Sequence, residues 1–150
     1  MKKIFVICVL ASTLVACHKD PVETKPHLSF KDWNSNVIGQ NGTLQVTLNF
    51  TDKEGDLQSL YVVRERLNVR GPDRKVLPYD IPNFNGQNQG EIQVTLDYNY
   101  DLTLGLDAIH IAGSNPPANE ADTLQLKFYV EDKAGHVSDS TSPKQVIVIR

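Results

Sequence analysis

The residues best suited to chemistry form a short acidic run, Asp52-Lys53-Glu54-Gly55-Asp56, with carboxylates at i, i+2 and i+4 of a turn. Calcium takes about six to eight oxygens at roughly 2.3–2.6 Å, and clustered loop carboxylates with backbone carbonyls supply them. The spacing is not that of an EF-hand loop, because the glycine is displaced and no glutamate follows at the required distance. Two further acids, Asp132 and Asp139, lie late in the chain among turn residues. A pair of solvated turns accounts for the same residues, since Asp and Gly also serve turn geometry. Both readings of Asp52, Glu54, Asp56, Asp132 and Asp139 stay open.

Other chemistries find less support. The histidines, His18, His27, His110 and His136, are not spaced as a zinc pair on one element. They read as exposed or loop residues, and only His136 stands near acids. The chain has no G-x-S-x-G elbow, no H-E-x-x-H and no phosphate-cradling glycine loop. A non-enzyme is expected. A small hydrolase is kept as an alternative, because carboxylate pairs can assemble from distant strands. Tyr79, Phe84, Tyr98 and Tyr100 fall near an amide-rich stretch, Asn83–Gln89. They suit sugar or peptide contact, but core aromatics beside a polar hairpin loop is the preferred reading. Lys and Arg are scattered through an acidic chain of net charge −3, which argues against nucleic acid. Even the densest stretch, Arg64–Arg74, is diluted by Glu65 and Asp73 and reads as a solvated strand face and loop.

The amino terminus has its own logic. Lys2 and Lys3 precede an almost unbroken apolar run, Ile4–Val15, too short to span a bilayer that needs roughly 20 residues. Leu14-Val15-Ala16-Cys17 follows. This tetrapeptide resembles the lipobox of bacterial lipoproteins. The resemblance implies cleavage after Ala16, a diacylglycerol thioether on Cys17 and acylation, such as palmitate, of the new amino terminus. Of the two cysteines, Cys8 would leave with the leader, so Cys17 is then the sole thiol and no intrachain disulfide can form. Each buried CH₂ contributes about 0.8 kcal/mol, and two or more acyl chains anchor stably where one does not. The expected organisation is a signal peptide over 1–16, a lipidated tether over 17–26 and one domain over 27–150.

Beyond the tether the apolar pattern has a period of two. Leu44–Phe50, Ile92–Tyr98 and Leu124–Val130 each put four apolar residues on one face, as a half-buried strand requires. Further strands are expected over Leu60–Val69, Lys75–Tyr79 and Gln145–Ile149, with a short one at His27–Phe30. A single helical turn is possible within Asp101–Ile109, and Asn115-Pro116-Pro117 must be loop. The line Leu44–Leu57 repeats at Leu124–Val137, both reading L-Q-apolar-x-apolar-x-apolar-x-D-K-x-G. Two strand-plus-turn units solving one geometric problem explain the repeat. About seven strands separated by Gly, Asn and Pro punctuation predict an all-β, antiparallel sandwich.

The carboxy-terminal run FYVEDKAGHVSDSTSPKQVIVI resembles the final hairpin of bacterial immunoglobulin-like domains. It departs from the antibody pattern in having no cysteine pair, and its one tryptophan, Trp33, comes before the second strand. The resemblance implies that the loops after the second and sixth strands share one end, bringing Asp132 and Asp139 towards Asp52, Glu54 and Asp56. Asp122-Thr123-Leu124 and Asp139-Ser140-Thr141 are similar to O-glycosylation sites of Bacteroidota. The resulting expectation is a lipid-anchored envelope protein, in the outer membrane by preference. It would bind or space a glycan, a peptide or an envelope protein through the loop end opposite the tether. A calcium-stabilised adhesion or carbohydrate-binding module is the alternative.

Overall fold

The computed structural model describes residues 24–71, 73–143 and 145–150. The lipobox-like tetrapeptide Leu14–Cys17 and His18 lie outside them. Eight strands form in chain order: β1 (His27–Trp33), β2 (Val37–Ile38), β3 (Thr43–Thr51), β4 (Leu57–Arg66), β5 (Asp73–Asp80), β6 (Gln89–Asp97), β7 (Asp122–Asp132) and β8 (Val146–Val148). They build two sheets, ordered β1-β3-β6 and β2-β8-β7-β4-β5, which make an all-β sandwich. This order follows the immunoglobulin-like scheme, in which an A-B-E sheet faces a G-F-C sheet extended by C′. The eighth strand is the two-residue β2, too short to show a period. It runs parallel to β8, so its sheet is mixed rather than wholly antiparallel.

The alternating lines supply the core. Leu44, Val46, Leu48 and Phe50 of β3 are buried together with Ile92, Val94 and Leu96 of β6. Across the interface lie Leu60 and Val62 of β4 and Leu124, Leu126, Phe128 and Val130 of β7. Each such side chain contributes about 1.5–3 kcal/mol on burial. On the other face of the second sheet, Tyr61 and Tyr129 stack at 4.9 Å between ring centroids, and Tyr61 donates to Glu131 at 2.8 Å. The half-wet pattern of β7 is thus reinforced by a cross-strand aromatic pair.

One expectation fails on β4. Arg64 and Arg66 are not on a solvated face; they are 2% and 4% exposed. They continue the inward phase of Leu60 and Val62, and β4 ends at Arg66 instead of Val69. Residues 98–121 fold over this end of the sandwich and offer acceptors to both guanidinium groups. Arg64 donates to the carbonyls of Asp101 and Leu104, at 2.9 and 3.1 Å. Arg66 donates to the carbonyl of Asp107 at 2.9 Å and pairs with the Asp122 carboxylate. Arg150 reaches the same carboxylate at 3.4 Å and the Leu106 carbonyl. The single helical turn is a π turn over Tyr98–Leu102, just before the expected position. Asp97 sets its start by accepting from the N–H groups of Asn99 and Tyr100.

Strand register fixes what sits at each end. His27 of β1 and Gln89 of β6 both lie opposite Thr51 of β3, and Asp132 of β7 lies opposite Leu57. The chain therefore enters at the end that carries the 52–56 turn, residues 81–88 and the turn after Asp132. Residues 34–42, 67–71 and 98–121 make up the other end.

Candidate metal centre

The repeated sequence line becomes two copies of one turn. In the first, Asp52 Oδ2 accepts the Asp56 N–H at 2.8 Å and the Asp52 carbonyl accepts the Gly55 N–H at 3.3 Å. In the second, Asp132 Oδ1 accepts the His136 N–H at 2.8 Å and the Asp132 carbonyl accepts the Gly135 N–H at 3.2 Å. Both glycines have positive φ, 65° and 85°, which a side chain would resist. The turns leave strands of opposite sheets but meet at one end, where Lys133 donates its N–H to the Asp56 carbonyl at 3.2 Å. A third segment closes on them: Asp52 donates its N–H to the Asn88 carbonyl at 2.8 Å.

This meeting gathers three carboxylates. Asp52, Asp56 and Asp132 each offer an oxygen, and these oxygens all lie within 4.8 Å of one another. Asp52 and Asp132 are each 2% exposed, and Asp56 is half-buried. Asp132 is fully engaged, since its second oxygen contacts His136 Nδ1 at 2.8 Å. Burial pushes its carboxyl up, but the hydrogen bonds from His136 and the Ala134 N–H outweigh this and hold it below the usual range. Asp52 Oδ1 and Asp56 Oδ1 are different: both are buried and neither has a hydrogen-bond partner. Among the described residues, His136 is the one basic side chain within ion-pair distance of the three acids.

Two of the five expected acids stand apart. Glu54 is exposed at the tip of its turn and outside the cluster. Asp139 is also outside, because the chain after Gly135 doubles back along β7, with Val137 bridging Glu131 and Thr141 bridging Phe128. Its side chain, 88% exposed, pairs instead with Lys25 at 2.6 Å, and that ammonium pulls its carboxyl down. The two loops meet, and the cluster they form holds three of the five acids.

The remaining sequence candidates scatter. His27 and His110 are exposed, His110 contacting Asn119 at 2.7 Å. Three of the four aromatics serve the interior. Tyr98 donates to the Ile149 carbonyl at 2.9 Å, Tyr79 donates to Asp101 Oδ1 at 2.7 Å, and Phe84 packs on Phe50 at 4.8 Å. Tyr100 alone is open, at 73%. Asp122 of the first glycosylation-like triplet is fully buried in the arginine cluster, whereas Asp139 and Ser140 of the second are exposed. The arginine cluster is not among the sequence expectations. Its signal was the phase of Arg64 and Arg66, in step with Leu60 and Val62.

No protein-family model matches the chain, and no curated protein matches it. Solved structures resemble it distantly. A β-glucosidase from Listeria innocua in complex with glucose aligns at 11% identity and TM-score 0.43, over 85% of this chain and 16% of that one. A Niemann-Pick type C2 protein from Japanese carpenter ant aligns at 10% identity and TM-score 0.41, over 81% and 92%. A sporulation control protein from Bacillus subtilis aligns at 10% identity and TM-score 0.41, over 84% and 50%. The chain spans about a sixth of the length of the β-glucosidases. Likenesses of this depth bear on neither site nor activity.

Proposed function

We propose that the protein is a lipid-anchored, non-catalytic binding module of the cell envelope, held through Cys17 and presenting its far end to a protein partner. The lipobox supports the anchor, with the outer membrane as its expected location. Among the described residues no helix is long and apolar enough to cross a membrane. The observation that carries the binding role is the state of residues 98–121, at the end opposite the entering chain. Buried Arg64 and Arg66 and half-buried Arg150 pin this segment by its backbone carbonyls. Nevertheless it leaves Tyr100, Leu104 and Ile111 at 73%, 50% and 49% exposure. A fixed segment with apolar side chains in water has already met the ordering cost that binding otherwise incurs. Aliphatic side chains favour a protein surface over a sugar, which stacks on flat aromatic rings.

Two measurements test the two halves. A fatty-acid probe labels the wild-type protein and not Cys17→Ser; equal labelling removes the anchor. A photo-crosslinking residue at position 100 or 111, in cells that make the protein, gives one discrete adduct, and Leu104→Asp abolishes it. The same residue at Arg74, on the exposed edge of β5, gives none. Adducts absent from both distal positions, or glycan-array binding that ignores Leu104→Asp, overturn the protein-contact reading.

A further inference from the structure

We propose that Asp52, Asp56 and Asp132 form a calcium site that fastens the β3–β4 turn to the β7–β8 turn. The inference goes beyond the binding role and lies at the other end of the molecule. Acidic clusters are common and by themselves mean little. Here the cluster is built inward: Asp52 is 2% exposed, with Oδ1 unpartnered, and Asp56 Oδ1 is likewise buried and unpartnered. A buried oxygen without a donor is costly, more so when it carries charge, and a cation removes that cost at both atoms together.

The dimensions suit calcium. Oxygens on opposite sides of a calcium ion lie about 4.6–5.2 Å apart, twice the Ca–O distance. The three acids fit inside that span, all within 4.8 Å. Magnesium demands near-ideal octahedral geometry at about 2.0–2.1 Å and dehydrates reluctantly, so it is usually held through fewer carboxylates than these three. Hydrogen bonding leaves the right atoms free. Asp52 spends only Oδ2, on the Asp56 N–H, while Asp56 spends neither carboxylate oxygen among the described residues. Asp132 gives both of its oxygens to His136, which orients it as an outer partner orients a ligating carboxylate. Half-buried Asp56 leaves the remaining positions to water. A turn-only role explains the Asp52 and Asp132 caps. It does not explain why Asp56, which caps nothing, turns an oxygen into the interior beside them.

The test is calcium titration of the full chain in detergent micelles, by calorimetry and by thermal melting in calcium, magnesium or chelator. Calcium is expected to bind with a dissociation constant of about 10⁻⁴–10⁻³ M, the range of extracellular modules, and to raise the melting temperature. Magnesium binds at least tenfold more weakly. Asp56→Asn removes one charge and no hydrogen bond. It melts at or above wild type in chelator and loses at least tenfold in calcium affinity. Glu54→Gln and Asp139→Asn keep the wild-type response. No calorimetric heat with identical melts in calcium and chelator overturns the site. So does equal stabilisation by magnesium, or a calcium response that Asp56→Asn leaves intact.

Discussion

Arg66 on β4 and Asp122 on β7 form an ion pair inside the sandwich, where they are 4% and 0% exposed. Arg150 joins the same carboxylate from the carboxy terminus. Removing one member of a buried pair leaves an uncompensated charge, whereas removing both with well-packed apolar residues is often neutral. Asp122→Ala is therefore expected to cost about 3–5 kcal/mol in urea unfolding. Arg66→Met with Asp122→Leu recovers part of that loss, although Arg150 then loses its carboxylate. A double variant no more stable than Asp122→Ala would mean that the pair does not act as a unit.

Arg64 acts on the backbone instead. Its two hydrogen bonds go to the carbonyls of Asp101, inside the π turn, and Leu104, just after it. Burial pushes its guanidinium down, and Asp73, Asp122 and Asp101 oppose that shift. Arg64→Met is expected to loosen this segment before the sandwich as a whole. Hydrogen exchange reads this at the N–H groups of Thr103 and Leu106, which are bonded to the carbonyls of Tyr98 and Thr103. Their protection falls at least tenfold relative to the β3–β6 ladder. A uniform fall across both would assign Arg64 to global stability alone.

What could be read from sequence follows from how local each signal is. The lines Leu44–Phe50, Ile92–Tyr98 and Leu124–Val130 announce their strands because each face is decided by its own alternation. The Asp52 and Asp132 turns were legible for the same reason, since a repeated D-K-x-G reports a repeated local geometry. Asp139 is not legible in this way, because its place depends on the chain doubling back along β7, a tertiary fact. Burial of Arg64 and Arg66 is not legible either, because charged residues ordinarily mark the wet face. Acceptors brought by residues 98–121 and the Asp122 carboxylate, all more than thirty positions away, make burial tolerable there. Register places the entering chain beside the acidic turns, because β1 starts opposite the end of β3.

Gly55 tests how closely the loops must meet. Its φ is +65°, and a Cβ there would lie 2.6 Å from the carbonyl carbon of Gly86. Gly71 also has positive φ, +90°, but an added Cβ meets nothing within 4 Å. Gly71→Ala therefore isolates the backbone penalty, about 1 kcal/mol. Gly55→Ala adds a backbone clash and is expected to cost at least twice as much in thermal or urea unfolding. Equal losses at the two positions would show that the 81–88 segment yields freely and that the contact is incidental.

Tyr79 gives the fold a dependence on alkaline pH. Burial, then the hydrogen bond to Asp101 and its charge, push the phenol well above its ordinary value of 10.0. The unfolded chain releases this proton near pH 10, while the folded protein keeps it. Above that pH the unfolded state binds fewer protons, so stability falls as pH rises. The contribution is complete below about pH 10 and is lost progressively towards the folded value. Tyr79→Phe cannot ionise and lacks this loss. Urea unfolding from about pH 8 to about pH 11 is expected to show a constant gap between wild type and variant up to about pH 10. Above it the gap shifts steadily in favour of the variant. Two curves that stay parallel to about pH 11 would mean that the phenol ionises alike in both states, and that Asp101 does not hold its proton.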